Sequence, residues 1–263
     1  MINVLFNRVL EPESLDMNFN WIAIAAVCVG ATSALAAEEA RPKPKAHVTR
    51  TIEGWTIQVD DRLVDGGDAA EIGKTALALI TNRLADIKLA VAADKLERLQ
   101  QVTIWLDRTH GGLRPAQYHP SAGWLKANGY DERLAKCVHI PDAADFVSRG
   151  HQRVQPWSVM HELAHAYHDQ VLDFENPEIK AVWEQVKQSE RFESVLHING
   201  RKTRHYALVN QKEFFAEMSE SYLGTNDFFP FNRAELKQDE PEVYALLARI
   251  WDAEKPKPAE PAK

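Results

Sequence analysis

The segment His161-Glu162-Leu163-Ala164-His165 brings two imidazoles and a carboxylate into five consecutive positions. The stretch from Trp157 to Gln170 reads as helical, and on a helix positions i and i+4 stand one turn apart on the same face. Both imidazoles then reach a single metal ion. Glu162 is rotated by about 100° from His161, which sets it beside the metal, where it takes a proton from a metal-bound water. Val159, Met160, Leu163 and Ala164 give the helix apolar packing faces. Pro156 suits a first turn, in which a missing N–H costs nothing. The plain alternative is a solvated histidine pair on a helix surface.

A tetrahedral catalytic zinc takes three protein ligands and leaves a place for water. The metzincin pattern HExxHxxGxxH would need glycine at position 168 and histidine at position 171. The sequence has His168 and Val171, so that pattern is excluded, and His168 reads as a helix-surface histidine. A third ligand comes instead from Asn210-Gln-Lys-Glu213-Phe-Phe-Ala-Glu217. Glu213 and Glu217 share a helix face at i and i+4, and carboxylates that close repel unless a cation or an N–H donor stands beside them. Glu213 is therefore read as the third zinc ligand and Glu217 as the acceptor that orients a ligand histidine, with Phe214 and Phe215 anchored in the core. An acidic surface face on a helix with buried phenylalanines is the simpler reading.

A helix bearing HExxH, followed by a helix with a liganding Glu and an acid four residues later, resembles the gluzincin arrangement. The string Tyr206-Ala-Leu-Val-Asn210-Gln-Lys-Glu213-Phe-Phe-Ala-Glu217 is similar to the catalytic domains of anthrax lethal-factor-like peptidases. The resemblance covers residues 158–223, about a quarter of the 263-residue chain. It implies His161, His165 and Glu213 as metal ligands, Glu162 as general base, and Tyr206 as a hydroxyl that assists the tetrahedral intermediate. It also implies a zincin-like fold. The stretch Leu223 to Phe231 resembles one found in exported bacterial proteins that carry the same motif.

The elements that must position these residues follow from the rest of the chain. Composition is that of a globular protein, with 45% hydrophobic and 26% charged residues. Net charge is -7, with no Lys/Arg cluster, which argues against a nucleic-acid role. An apolar run from Ile22 to Val29, ending in Ala34-Leu35-Ala36, has the form of a secretory signal with an A-x-A cleavage site. The region before it is acidic (Glu11, Glu13 and Asp16 against Arg8), and an uncleaved membrane anchor is the alternative. Residues 1–36 are thus expected to be a signal peptide, 37–46 a proline-punctuated linker, 47–253 one catalytic domain and 254–263 a disordered tail.

Within the domain, Ile52 to Val59 reads as a strand. A helix capped by Asp68 follows, with Ile72, Ala76, Ile80, Leu84 and Ile87 at helical spacing, and then a strand from Val102 to Leu106. Asp107 to Asp131 reads as a long irregular connection, in which Trp124 and Tyr130 are candidates for a substrate subsite, with an ordinary role in a small core as the simpler reading. Cys137 to Ile140 reads as an edge strand, able to pair with an extended peptide. After Pro156 the chain reads as mainly helical to Trp251. The expectation is an α+β, zincin-like metallopeptidase domain with a small mixed sheet and a predominantly helical C-terminal half. Its expected activity is hydrolysis of peptide or protein substrates by an exported zinc enzyme. Two alternatives stand beside it: a zinc-loaded module without catalysis, and a zinc hydrolase of a non-peptide amide.

Overall fold

A computed structural model describes residues 42–252 of the chain. The expected signal peptide, the first half of the expected linker and the expected tail lie outside the described residues. Among those described, no helix is long and apolar enough to cross a membrane.

The first two strands are β1 (His47–Ile52) and β2 (Trp55–Asp60), where the sequence reads as one strand from Ile52 to Val59. Ile52 pairs with Trp55, so only Glu53 and Gly54 form the connection, and both have positive φ (51° and 98°). That is the backbone of a type I′ turn, whose twist matches the flanking strands. Helix α1 (Ala70–Ala90) buries Ala76, Ile80, Leu84 and Ile87 as their spacing predicts. Asp68 does not cap it; Ala69 holds that position and Asp68 pairs with Arg108. Helix α2 (Ala93–Leu99) leads to β3 (Ile104–Leu106).

The connection that follows is less irregular than expected. It contains β4 (Gln117–Tyr118) and α3 (Ala122–Ala127), which Ser121 caps at the amide of Trp124. Next come β5 (Val138–Ile140) and the helices α4 (Ala143–Phe146), α5 (Arg149–Val154), α6 (Ser158–Tyr167) and α7 (Pro177–Gln188). A short hairpin of β6 (Val195–Leu196) and β7 (Lys202–Thr203) precedes α8 (Gln211–Leu223), α9 (Arg233–Asp239) and α10 (Pro241–Trp251). The domain mixes a small sheet with a helical second half, in keeping with the α+β class.

The five-stranded sheet has the order β1-β2-β3-β5-β4. β2, β3 and β5 run parallel, while β1 and β4 are antiparallel to their neighbours. This corrects the expected edge. β5 is internal, with the Val138 amide bonded to Thr103, and the edge strand beside it is β4. β5, flanked on both sides, is buried at all three positions, His139 included, and an edge strand need not be.

One sheet face carries Ile57, Val59, Ile104, Leu106, Val138 and Ile140 into the main core with α1 and α6. The other face carries Trp105, which packs with Leu125, Leu134 and Cys137 in a smaller cluster. The end of the expected linker lies against the domain: Pro42 O accepts from Thr109 Oγ1 at 2.7 Å, and Lys43 Nζ donates to Gly129 O at 2.6 Å.

Candidate metal centre

Helices α6 and α8 pack against each other and supply the sequence-predicted residues. His161 and His165 project from α6 with ring centroids 4.8 Å apart. Glu213 lies in the first turn of α8, which Asn210 starts by accepting from the amides of Lys212 and Glu213. This cap fixes the register of the helix and so the direction of Glu213. The Nε2 atoms of His161 and His165 are 3.1 Å apart, and each is 3.2 Å from Glu213 Oε2. Side-chain exposures of 13%, 12% and 6% keep this triangle within reach of solvent.

The chemistry of the triangle calls for a cation. His161 Nδ1 donates to Glu220 Oε1 at 2.7 Å, which leaves the neutral ring a lone pair on Nε2. That lone pair faces a carboxylate oxygen and a second imidazole nitrogen. A four-coordinate ion with bonds of about 2.0–2.1 Å spaces its ligand atoms roughly 3.3 Å apart, close to the separations found. These three residues, grouped within one ion's reach, could hold a metal ion. In its absence charge is shared with protons. Burial disfavours a charged His161, yet its hydrogen bonds to Glu213 and Glu220 raise its pKa well above the ordinary histidine value. Burial likewise opposes the Glu213 carboxylate, but His165 and His161 hold its pKa well below the usual range.

Glu162 sits beside the triangle. Its Oε2 accepts from the backbone amide of Tyr118 in β4 at 2.7 Å, so the edge strand holds one oxygen and leaves the other free. Burial raises its pKa, as suits a proton acceptor that must later release the proton. Tyr206 lies in a short 3₁₀ turn before α8 and is 38% exposed. Its pKa is raised first by burial and then by the charge of Glu213, with Glu162 also contributing, which places the hydroxyl within electrostatic reach of the triangle.

The structure corrects the reading of Glu217. His161 Nδ1 bonds Glu220, whereas Glu217 Oε1 is 3.7 Å from that nitrogen. Glu217 Oε2 is buried without a hydrogen bond among the described residues, with His205 Nδ1 3.8 Å away. Burial, and then the charge of Glu220, push the Glu217 pKa well above the usual range. Position 220 lies one helical turn beyond 217 and two beyond 213, so the spacing Glu213-Glu217-Glu220 marks one face of α8. That signal was available in the sequence. The Tyr118 amide had none, because a backbone donor leaves no residue type to read.

His168 is also corrected. The chain leaves α6 through a π-helical turn (168–172), and His168 is fully buried against Phe174 and Phe215, with neither ring nitrogen partnered among the described residues. Phe214 and Phe215 are buried in the core. Trp124 and Tyr130 stack on each other, and Trp124 remains partly exposed. Compared with protein-family models, curated proteins and solved structures, the chain matches none of them.

Proposed function

We propose that this chain is an exported, zinc-dependent metallopeptidase with a zincin-like domain of gluzincin type. The observation that carries the reading is the equilateral set of His161 Nε2, His165 Nε2 and Glu213 Oε2, with a buried carboxylate, Glu162, alongside. Two imidazoles and one carboxylate are a ligand set found in catalytic zinc sites. Export rests on the apolar run that ends at Ala34-Leu35-Ala36.

His161, His165 and Glu213 would hold the zinc, which would supply a Lewis acid and make the attacking water more acidic. Glu162 takes the proton of the attacking water on the oxygen that the Tyr118 amide leaves free, then hands it to the departing amine. Glu220 keeps His161 in the tautomer that presents Nε2. Tyr206 donates a hydrogen bond to the developing oxyanion, a contribution worth about 10²–10³ in rate at comparable sites. An extended peptide lies along β4, whose outer edge has no strand partner among the described residues.

The test is incubation of the zinc-loaded protein with a diverse peptide pool, read by mass spectrometry, beside Glu162→Ala. Cleavage by the wild type alone is expected. No cleavage by either, with zinc bound in both, would overturn the peptidase reading and leave a non-peptide amide or a binding role.

A further inference from the structure

On the sheet face opposite α6, a second group of metal-ligating atoms converges. Trp105 pairs with His139 in the β3–β5 register, and Asp107 continues the alternation beyond β3, so His139 and Asp107 point away from the main core. Asp107 Oδ2 accepts from His110 Nδ1 at 2.6 Å and from His139 Nε2 at 2.8 Å. All three residues are buried, and their ligand atoms lie within 4.8 Å of one another.

We propose that Asp107 Oδ2, His110 Nδ1 and His139 Nε2 form a second metal site, for a divalent ion of the zinc class. It goes beyond the reading of the His161 centre and does not depend on it. Two imidazoles with one carboxylate favour such an ion over magnesium or calcium, which prefer all-oxygen sites. The stronger argument lies one layer out. Metal ligands are usually held at the atom that does not face the metal, and two of these three already are. Asp107 Oδ1 accepts from His47 Nε2 at 2.7 Å, and His139 Nδ1 meets His119 Nε2 at 3.2 Å. Five side chains from β1, the segment after β3, the residue after β4, and β5 are thus arranged around one point.

The contacts of 2.6 and 2.8 Å are hydrogen-bond lengths, shorter than the 3.1–3.2 Å of the His161 triangle. Two N–H protons occupy the place of the ion. Uptake therefore shifts the proton of three rings to the other nitrogen: from Nδ1 to Nε2 of His110, from Nε2 to Nδ1 of His139, and from Nε2 to Nδ1 of His119, whose freed Nε2 then accepts from His139 Nδ1. No proton is gained or lost by these neutral rings. The carboxylate stays ionised as the third ligand.

The experiment is metal analysis of the full chain, stripped with chelator, reloaded with zinc and dialysed, for the wild type and two double variants. Two zinc ions per wild-type chain are expected, and one each in His161→Ala/His165→Ala and His110→Ala/His139→Ala. Should the second variant fail to fold, zinc-edge X-ray absorption on the first decides, because it leaves the Asp107 group intact. A shell with two imidazoles supports the site, and a shell of water oxygens overturns it. One zinc in the wild type and none in His161→Ala/His165→Ala would overturn this proposal and leave the His161 centre standing. A single zinc in the wild type that survives in that variant would do the reverse.

Discussion

Glu220 decides which nitrogen of His161 faces His165 and Glu213, through a 2.7 Å hydrogen bond that the longer-range acid, Glu217, does not make. Outer partners of this kind typically contribute about 10–100-fold in metal affinity. Glu220→Gln is therefore expected to weaken zinc binding by that factor in a competition titration, and Glu217→Gln by much less. Equal losses would contradict the assignment. His168 supplies a second residue-scale prediction. Burial, and then the positive field of His165, lower its pKa to about 3 from the ordinary 6.5. The unfolded chain then binds more protons between these values, so the contribution of neutral His168 is complete above pH 6.5 and is lost as pH falls towards 3. By pH 5 the loss is about 2 kcal/mol. His168→Leu should flatten the fall in melting temperature between pH 7.5 and pH 5, and an unchanged profile would contradict the argument. The grouping of His161, His165 and Glu213 was legible in the sequence because their side chains carry the chemistry. His168 was misread because helical spacing alone does not show that α6 ends in a π-helical turn over Phe215.

At the scale of elements, the centre depends on how closely α6 and α8 approach. Gly224 ends α8 against the ring of Trp157, the residue before α6, and a Cβ there would lie 2.1 Å from a ring carbon. Gly224→Ala forces the two helices apart, at about 1–3 kcal/mol, the usual range for overpacking. A lower melting temperature and weaker zinc binding should appear together, because the same contact sets both. A normal melting temperature would refute the close-packing account. Helix α1 was legible because four buried positions repeat at helical spacing over a long stretch. The hairpin of β1 and β2 was not, since Glu53-Gly54 lacks the usual Asn or Asp before glycine although it takes the same positive-φ turn. The edge of the sheet was misplaced for a related reason. β4 has two residues, too few for an alternation to show, and it is defined by pairing with β5 and by the Tyr118 amide that reaches Glu162.

Over the whole molecule, the sheet carries the two polar centres on its opposite faces, and each gathers residues far apart in the chain. An ion bound by the folded form alone stabilises it by mass action, by about 2.7 kcal/mol at a hundredfold excess over Kd. For a domain of this size that is a rise of roughly 5–10 °C in melting temperature, which a thermal scan with and without chelator reads directly. The class of the fold followed from the sequence because apolar strands precede a long helical half. The Asp107 group did not, because His47, His110, His119 and His139 share no short spacing and meet only through strand register. The central claim is that His161, His165 and Glu213 hold a metal ion beside a proton-accepting Glu162. Its most direct test measures zinc content and peptide turnover in the same preparations of wild type, Glu162→Gln and Glu213→Gln. Zinc at the His161 centre should persist in Glu162→Gln while turnover falls by about 10²–10⁴, and Glu213→Gln should lose both. Turnover by Glu162→Gln at the wild-type rate, or full zinc at that centre in Glu213→Gln, would contradict the account.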